Sequence, residues 1–114
     1  MIKITDDKRI FISRGDTRII PCRFKYPSRA PDDGTIAVVT LKRDYNDQSK
    51  IWEKKYYILH GRFNIELTRE DTDLKNDVVY KYDIQLRFGD GQQYTLIPPT
   101  DFKILGVVGD AEAG

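Results

Sequence analysis

The chain has 114 residues, a length that suits one domain and lets it bury roughly two thirds of its unfolded surface. Hydrophobic residues make up 39% and charged residues 32%, on the polar side of globular, while seven Tyr, five Phe and one Trp exclude wholesale disorder. With 19 Lys and Arg against 18 Asp and Glu, the net charge of +1 gives no reason to expect a nucleic acid or an anionic membrane as partner.

Cys22 is the lone cysteine and His60 the lone histidine, so an intrachain disulfide is excluded and a closed zinc site is not expected. No cofactor is expected. Nothing in the sequence is long and apolar enough for a membrane span, and residues 1–7 lack the apolar stretch and cleavage site of a signal peptide, so synthesis and folding in a cytoplasm are the expectation. The expected organisation is a single domain over residues 1–106 followed by a flexible tail over 107–114, where small and acidic residues have nothing to pack.

Taken in chain order, the dominant period is two. Residues 9–13 put Ile10 and Ile12 on one face, and 17–24 form a second β-rich run, with Arg14-Gly15-Asp16 as the turn between them. Pro21 within that run predicts an edge strand or a bulge. Residues 26–34 hold two prolines, two Asp and a Gly and read as a loop. Residues 35–43 are strand-like, with Ala37, Val39 and Leu41 opposing Ile36, Val38 and Thr40. A polar connection leads to 51–58, rich in Trp and Tyr; His60-Gly61 turns the chain, and 62–68 alternates Phe63, Ile65 and Leu67 against Arg62, Asn64 and Glu66. Thr68-Arg69-Glu70-Asp71 resembles a capped helix start, and Asp77 follows too soon for more than a turn or two.

The clearest strand is 80–88, where Tyr80, Tyr82, Ile84, Leu86 and Phe88 oppose Lys81, Asp83, Gln85 and Arg87. Gly89-Asp90-Gly91-Gln92 then predicts a hairpin turn, with Asp90 and Gly91 tolerating positive φ, and 94–97 is the returning strand. Pro98-Pro99 is expected to end or divert it before a last strand over 101–105. About seven short strands with at most one short helical turn predict an all-β antiparallel β-sandwich of Greek-key character, with a barrel as the alternative.

Three signatures in a fixed order carry a resemblance. They are Ile12-Ser13-Arg14-Gly15-Asp16-Thr17, then residues 66–74 from Glu66 to Leu74, then Tyr80-Lys81-Tyr82-Asp83-Ile84-Gln85-Leu86 followed by Asp90-Gly91 and Pro98-Pro99-Thr100-Asp101-Phe102-Lys103-Ile104. Together they resemble small prophage-encoded structural proteins of tailed bacteriophages, and among named families the N-terminal immunoglobulin-like domain of baseplate upper proteins. The resemblance spans nearly the whole chain; the proline-rich loop over 26–34 departs from it. It implies an immunoglobulin-like sandwich without catalysis, placed in the tail or baseplate of a virion, whose partners are other tail proteins and, in self-association, further copies of the chain. A carbohydrate-binding or host-surface-binding sandwich is the alternative function.

Read as residues alone, the same motifs are structural. Gly15 suits a strained turn position and Asp16 or Ser13 can accept backbone N–H bonds. Thr68 with Glu70 or Asp71 can cap the helical turn, and Leu74 can plug the end of the sandwich. A tyrosine opening the 80–88 strand can send its hydroxyl to nearby backbone, as a tyrosine corner does. Arg14-Gly15-Asp16 also spells a cell-adhesion tripeptide, but it consists of common turn residues and is read as a turn. Asp6, Asp7, Asp16, Asp71 and Asp73 lack the spacing of a calcium loop, His60 has no nucleophile or orienting partner in the pattern, and Cys22 lies in an apolar run as a small hydrophobe. The stretch from 50 to 57, with Trp52, Lys54, Lys55, Tyr56 and Tyr57, is a strand whose outward members are candidate interface residues; Trp52 and Tyr57 are the anchors expected, with Lys54 and Tyr56 beside them.

Overall fold

A computed structural model describes residues 2–23 and 34–106. The expected loop over 26–34, apart from Gly34, and the expected tail over 107–114 lie outside the described residues. Eight strands and one helical turn follow in the order β1 (Ile2–Ile4), β2 (Ile10–Ser13), β3 (Arg18–Arg23), β4 (Ile36–Lys42), β5 (Trp52–Tyr57), β6 (Arg62–Leu67), α1 (Arg69–Thr72), β7 (Val79–Arg87) and β8 (Gln93–Leu105). A six-stranded sheet has the order β1-β2-β8-β7-β4-β5, and β3 pairs with β6 in a second, two-stranded sheet.

The inner faces of the two sheets share one core. Alternation along β7 buries Tyr80, Tyr82, Ile84 and Leu86, and the series continues to Phe88. Ala37, Val39 and Leu41 of β4, Phe102 and Ile104 of β8 and Ile10 and Ile12 of β2 extend this layer, while Ile20, Phe63, Ile65 and Leu67 close it from the small sheet. Val38 points to the opposite face yet is only 2% exposed, because it lies in register between Lys55 and Gln85, whose long side chains flank it.

The fold is all-β, but the large sheet is mixed. β2 runs parallel to β8, with Ile10 opposite Phe102 and Ser13 opposite Leu105, so the expected antiparallel sandwich is corrected at that pair. Alternation reports which face a residue occupies and is blind to strand direction. The strand β1 was not expected; it pairs antiparallel with β2 through three residues.

Pro98-Pro99 does not end a strand. β8 runs through it as one thirteen-residue element, because between Thr100 and Thr95 it carries an extra residue at two places: Tyr82 faces Thr100, Ile84 faces Ile97 and Gln85 faces Thr95. β2 covers only residues 102–105 of β8, so the prolines sit on a free edge, where a missing N–H breaks no ladder.

The turns follow their residues. Leu59 and Arg62 exchange both backbone bonds at 3.0 Å around His60 (φ 53°) and Gly61 (φ 71°), the two positive φ angles of a type I′ hairpin. At the β7–β8 turn Gly91, at φ 89°, donates to the Phe88 carbonyl, and the Asp90 carboxylate accepts from the Gln92 N–H at 3.0 Å.

Truncation of Ile84 or Leu86 to Ala should cost about 2–5 kcal/mol in urea unfolding, whereas Gln85→Ala on the half-buried outer face should cost under about 1 kcal/mol. Equal losses on both faces would mean that the outer face of β7 is a second core.

Candidate docking surface

Alternation divides β5 into two rows. Trp52, Lys54 and Tyr56 share one row and Glu53, Lys55 and Tyr57 the other, so the two expected anchors, Trp52 and Tyr57, stand on opposite faces of the strand.

The first row joins β5 to β6 and α1. The Trp52 indole donates to the Asp71 carbonyl at 3.1 Å and meets Phe102 edge-on, with centroids 6.1 Å apart. The Lys54 ammonium lies 5.6 Å from the Trp52 ring centroid and 2.8 Å from the Asp71 carboxylate. Tyr56 stacks on Phe63 at 6.1 Å, and its hydroxyl accepts the Glu66 N–H at 3.1 Å. Three of the four candidate side chains thus bond within the domain. Tyr57 is 77% exposed, and Leu59, at the mouth of the type I′ turn, is 67% exposed.

Asp71 was expected only as a cap, and it is a hub. Thr68 caps α1 by accepting the Asp71 N–H, and the Asp71 carboxylate accepts the Thr68 N–H in return at 2.7 Å. Burial alone would raise its pKa; hydrogen bonds from Lys54 and Thr68 outweigh that and hold it below the ordinary carboxylate value.

The first two sequence signatures meet around this helix, and the third bonds to the segment after it and to the β1–β2 turn. The Ser13 carbonyl accepts the Asp16 N–H across a turn in which Gly15 has φ 79°. The Gly15 N–H donates to the Thr72 carbonyl, the Thr72 hydroxyl donates to the Asp16 carbonyl at 2.8 Å, and Arg14 pairs with Asp73 at 2.9 Å. The tripeptide Arg14-Gly15-Asp16 is therefore bound into the fold at each of its residues. Tyr80 accepts the Lys75 N–H at 3.1 Å, and Tyr82 donates to the Lys8 carbonyl.

On the opposite face, Glu53 and Asp83 flank Thr40 in register. Hydrogen bonding to Lys50 lowers the pKa of Glu53, and burial raises that of Asp83. The hollow beside Asp83, lined also by Thr40, Lys42 and Tyr45, measures about 40 Å³, room for a water and too small for a sugar ring. Between the sheets a larger apolar cleft of about 440 Å³ is lined by Ile4, Ile10, Ile20, Cys22, Ile84 and Ile97 among others. Burial pushes the Cys22 thiol up to about 11, which makes it a poor nucleophile. His60 takes the first positive-φ position of its turn and is exposed, and no three His, Cys, Asp or Glu residues gather as a metal site among the described residues. Compared with family models, with curated proteins and with solved structures, the chain matches none.

Asp71→Ala should cost about 1–2 kcal/mol at pH 7, through the lost cap and the unpaired Lys54. Because folding lowers the carboxylate pKa, this stabilisation is complete above about pH 5 and is lost as pH falls through the folded value, so the gap between variant and parent melting curves should narrow in acid. Cys22 in the folded chain should react with iodoacetamide at pH 8 on the order of a hundredfold more slowly than in urea, since few molecules carry the thiolate.

Proposed function

We propose that the chain is a non-enzymatic docking protein, a structural component of a tailed phage or prophage virion that acts through contact with other tail or baseplate proteins. The observation that carries this reading is the division of labour on the surface. The first two signatures bond to each other through Arg14, Asp16, Thr72 and Asp73 and hold the fold, while Tyr57, Leu59 and Ile19 stand 77%, 67% and 62% exposed. Exposed aromatic and aliphatic side chains on a rigid sheet suit a protein contact.

The finer fold reading is immunoglobulin-like. Two sheets with the orders β8-β7-β4-β5 and β3-β6 parallel the G-F-C-C′ and B-E strands of a variable-type domain, and Tyr80, bonded back to Lys75 at the start of β7, has the place of a tyrosine corner. The resemblance of the three signatures to the N-terminal domain of baseplate upper proteins supports the virion location and synthesis in the bacterial cytoplasm.

A tagged copy produced in the bacterium that carries the gene, and purified after phage induction, should bring down tail or baseplate proteins and should appear on particles by immunogold microscopy. Capture of host glycans in their place, with particles unlabelled, would favour the carbohydrate-binding alternative and overturn the assembly role.

A further inference from the structure

Two arginines stand opposite each other where the small sheet meets the β5–β6 turn. Arg23 closes β3, Arg62 opens β6, and the two occupy one register position of the antiparallel pair. Alternation sends Ile20, Phe63 and Ile65 into the core, so Arg23 and Arg62 leave from the outer face, and both residues are exposed. Like charges directly opposite each other weaken a sheet. Neither arginine has an ion-pair partner among the described residues, whereas Arg9, Arg14, Lys50, Lys54 and Lys81 are each paired with a carboxylate. Around them lies a shallow groove of about 960 Å³, bordered by Pro21, Tyr57, Leu59 and His60.

We propose that this groove docks an acidic segment of a partner protein, whose carboxylates sit on Arg23 and Arg62 while an adjacent apolar side chain lies against Tyr57 and Leu59. The inference rests on the docking function above and supplies the chemistry of the partner. A guanidinium presents a fixed fork of N–H donors that fits a carboxylate with two bonds. Two forks in register, with Cβ atoms about 5 Å apart, suit one bridging carboxylate or two from alternate residues of an extended chain, which lie about 7 Å apart. A nucleic acid needs a run of cations along its backbone; here Asn64 and Glu66 continue the outer row of β6 where further cations would be required. A like-charged pair held beside exposed Tyr57 and Leu59 is costly in the free chain and favourable once an anion arrives.

The test titrates the whole ¹⁵N-labelled chain with a short peptide of alternating glutamate and leucine, with its glutamine counterpart and with a single-stranded oligonucleotide. The glutamate peptide should shift the amides of Arg23, Tyr57, Leu59 and Arg62 saturably, and the glutamine peptide should not. Arg62→Gln should weaken binding at least about tenfold, with Arg62→Lys intermediate, while its melting temperature stays level or rises as the repulsion is relieved. Arg23→Gln should behave alike. Equal binding of the glutamine peptide, no saturable shift, shifts on another face, a stronger oligonucleotide response at the same amides or a melting temperature lowered in both variants would each overturn the proposal. Entry of Arg62→Gln into particles as efficiently as the parent would reject this groove and leave the assembly role intact. Peptide binding without any particle association would reject the assembly role and leave the groove.

Discussion

The chain must leave the large sheet after Ser13 and reappear in the small one at Arg18, and the bonds that fix this crossing also fix the rest of the fold. Gly15 gives the turn the positive φ it needs, and the turn is fastened to α1 by the Gly15 N–H to the Thr72 carbonyl, the Thr72 hydroxyl to the Asp16 carbonyl and the Arg14–Asp73 pair. Thr72 is fully buried, so its hydroxyl would carry a desolvation penalty without these partners. The helix is only four residues long and has little stability of its own. Its value is positional: it presents the Asp71 carboxylate to Lys54 and the Asp71 carbonyl to Trp52 on one side, and the Thr72 carbonyl to Gly15 on the other.

Both edges of the large sheet are tied down as well. At one edge, β5 leans its Trp52-Lys54-Tyr56 row against α1 and β6, so the large sheet curls toward the small one beyond the type I′ turn. At the other, the Tyr82 hydroxyl crosses to the Lys8 carbonyl, where Lys8 itself takes a φ of 72° in the turn between β1 and β2. Tyrosine suits these places because its ring fills the core while its hydroxyl reaches a backbone group at the rim. Tyr56, Tyr80 and Tyr82 all bridge core and rim in this way, which accounts for part of the aromatic content of so small a domain.

What the sequence disclosed was what depends on neighbours along the chain. The 80–88 alternation was legible because β7 is central and its two faces meet different surroundings. Gly15, His60-Gly61 and Asp90-Gly91 were legible as turns because each needs a local backbone geometry. The direction of β2 against β8 was not, since the two are separated by most of the chain and no hairpin joins them. The two prolines of β8 read as a break because only the tertiary pairing reveals that the edge beside them is free. Within the candidate surface, alternation could say that Trp52, Lys54 and Tyr56 belong together, but not that their row faces inward. The hub role of Asp71 and the opposition of Arg23 to Arg62 depend on pairings between segments distant in sequence, and no pattern within either segment signals them.

The location of the free surface follows from where these internal bonds end. Near α1 the side chains of Arg14, Asp71, Thr72 and Asp73 are engaged and the Gly15 turn is pinned, so a partner at these groups would have to compete with existing hydrogen bonds. Toward the type I′ turn the internal bonding thins out: Tyr57 and Leu59 project, Arg23 and Arg62 face each other across the ladder without a carboxylate among the described residues, and Pro21 leaves the β3 edge with one N–H fewer for indiscriminate strand pairing. A surface that discourages strand addition through its backbone while offering two guanidinium forks and two large apolar side chains selects partners by side-chain chemistry. That is the property an assembly contact requires, because specificity then depends on matching charges and apolar groups and not on a backbone edge that any extended chain could extend.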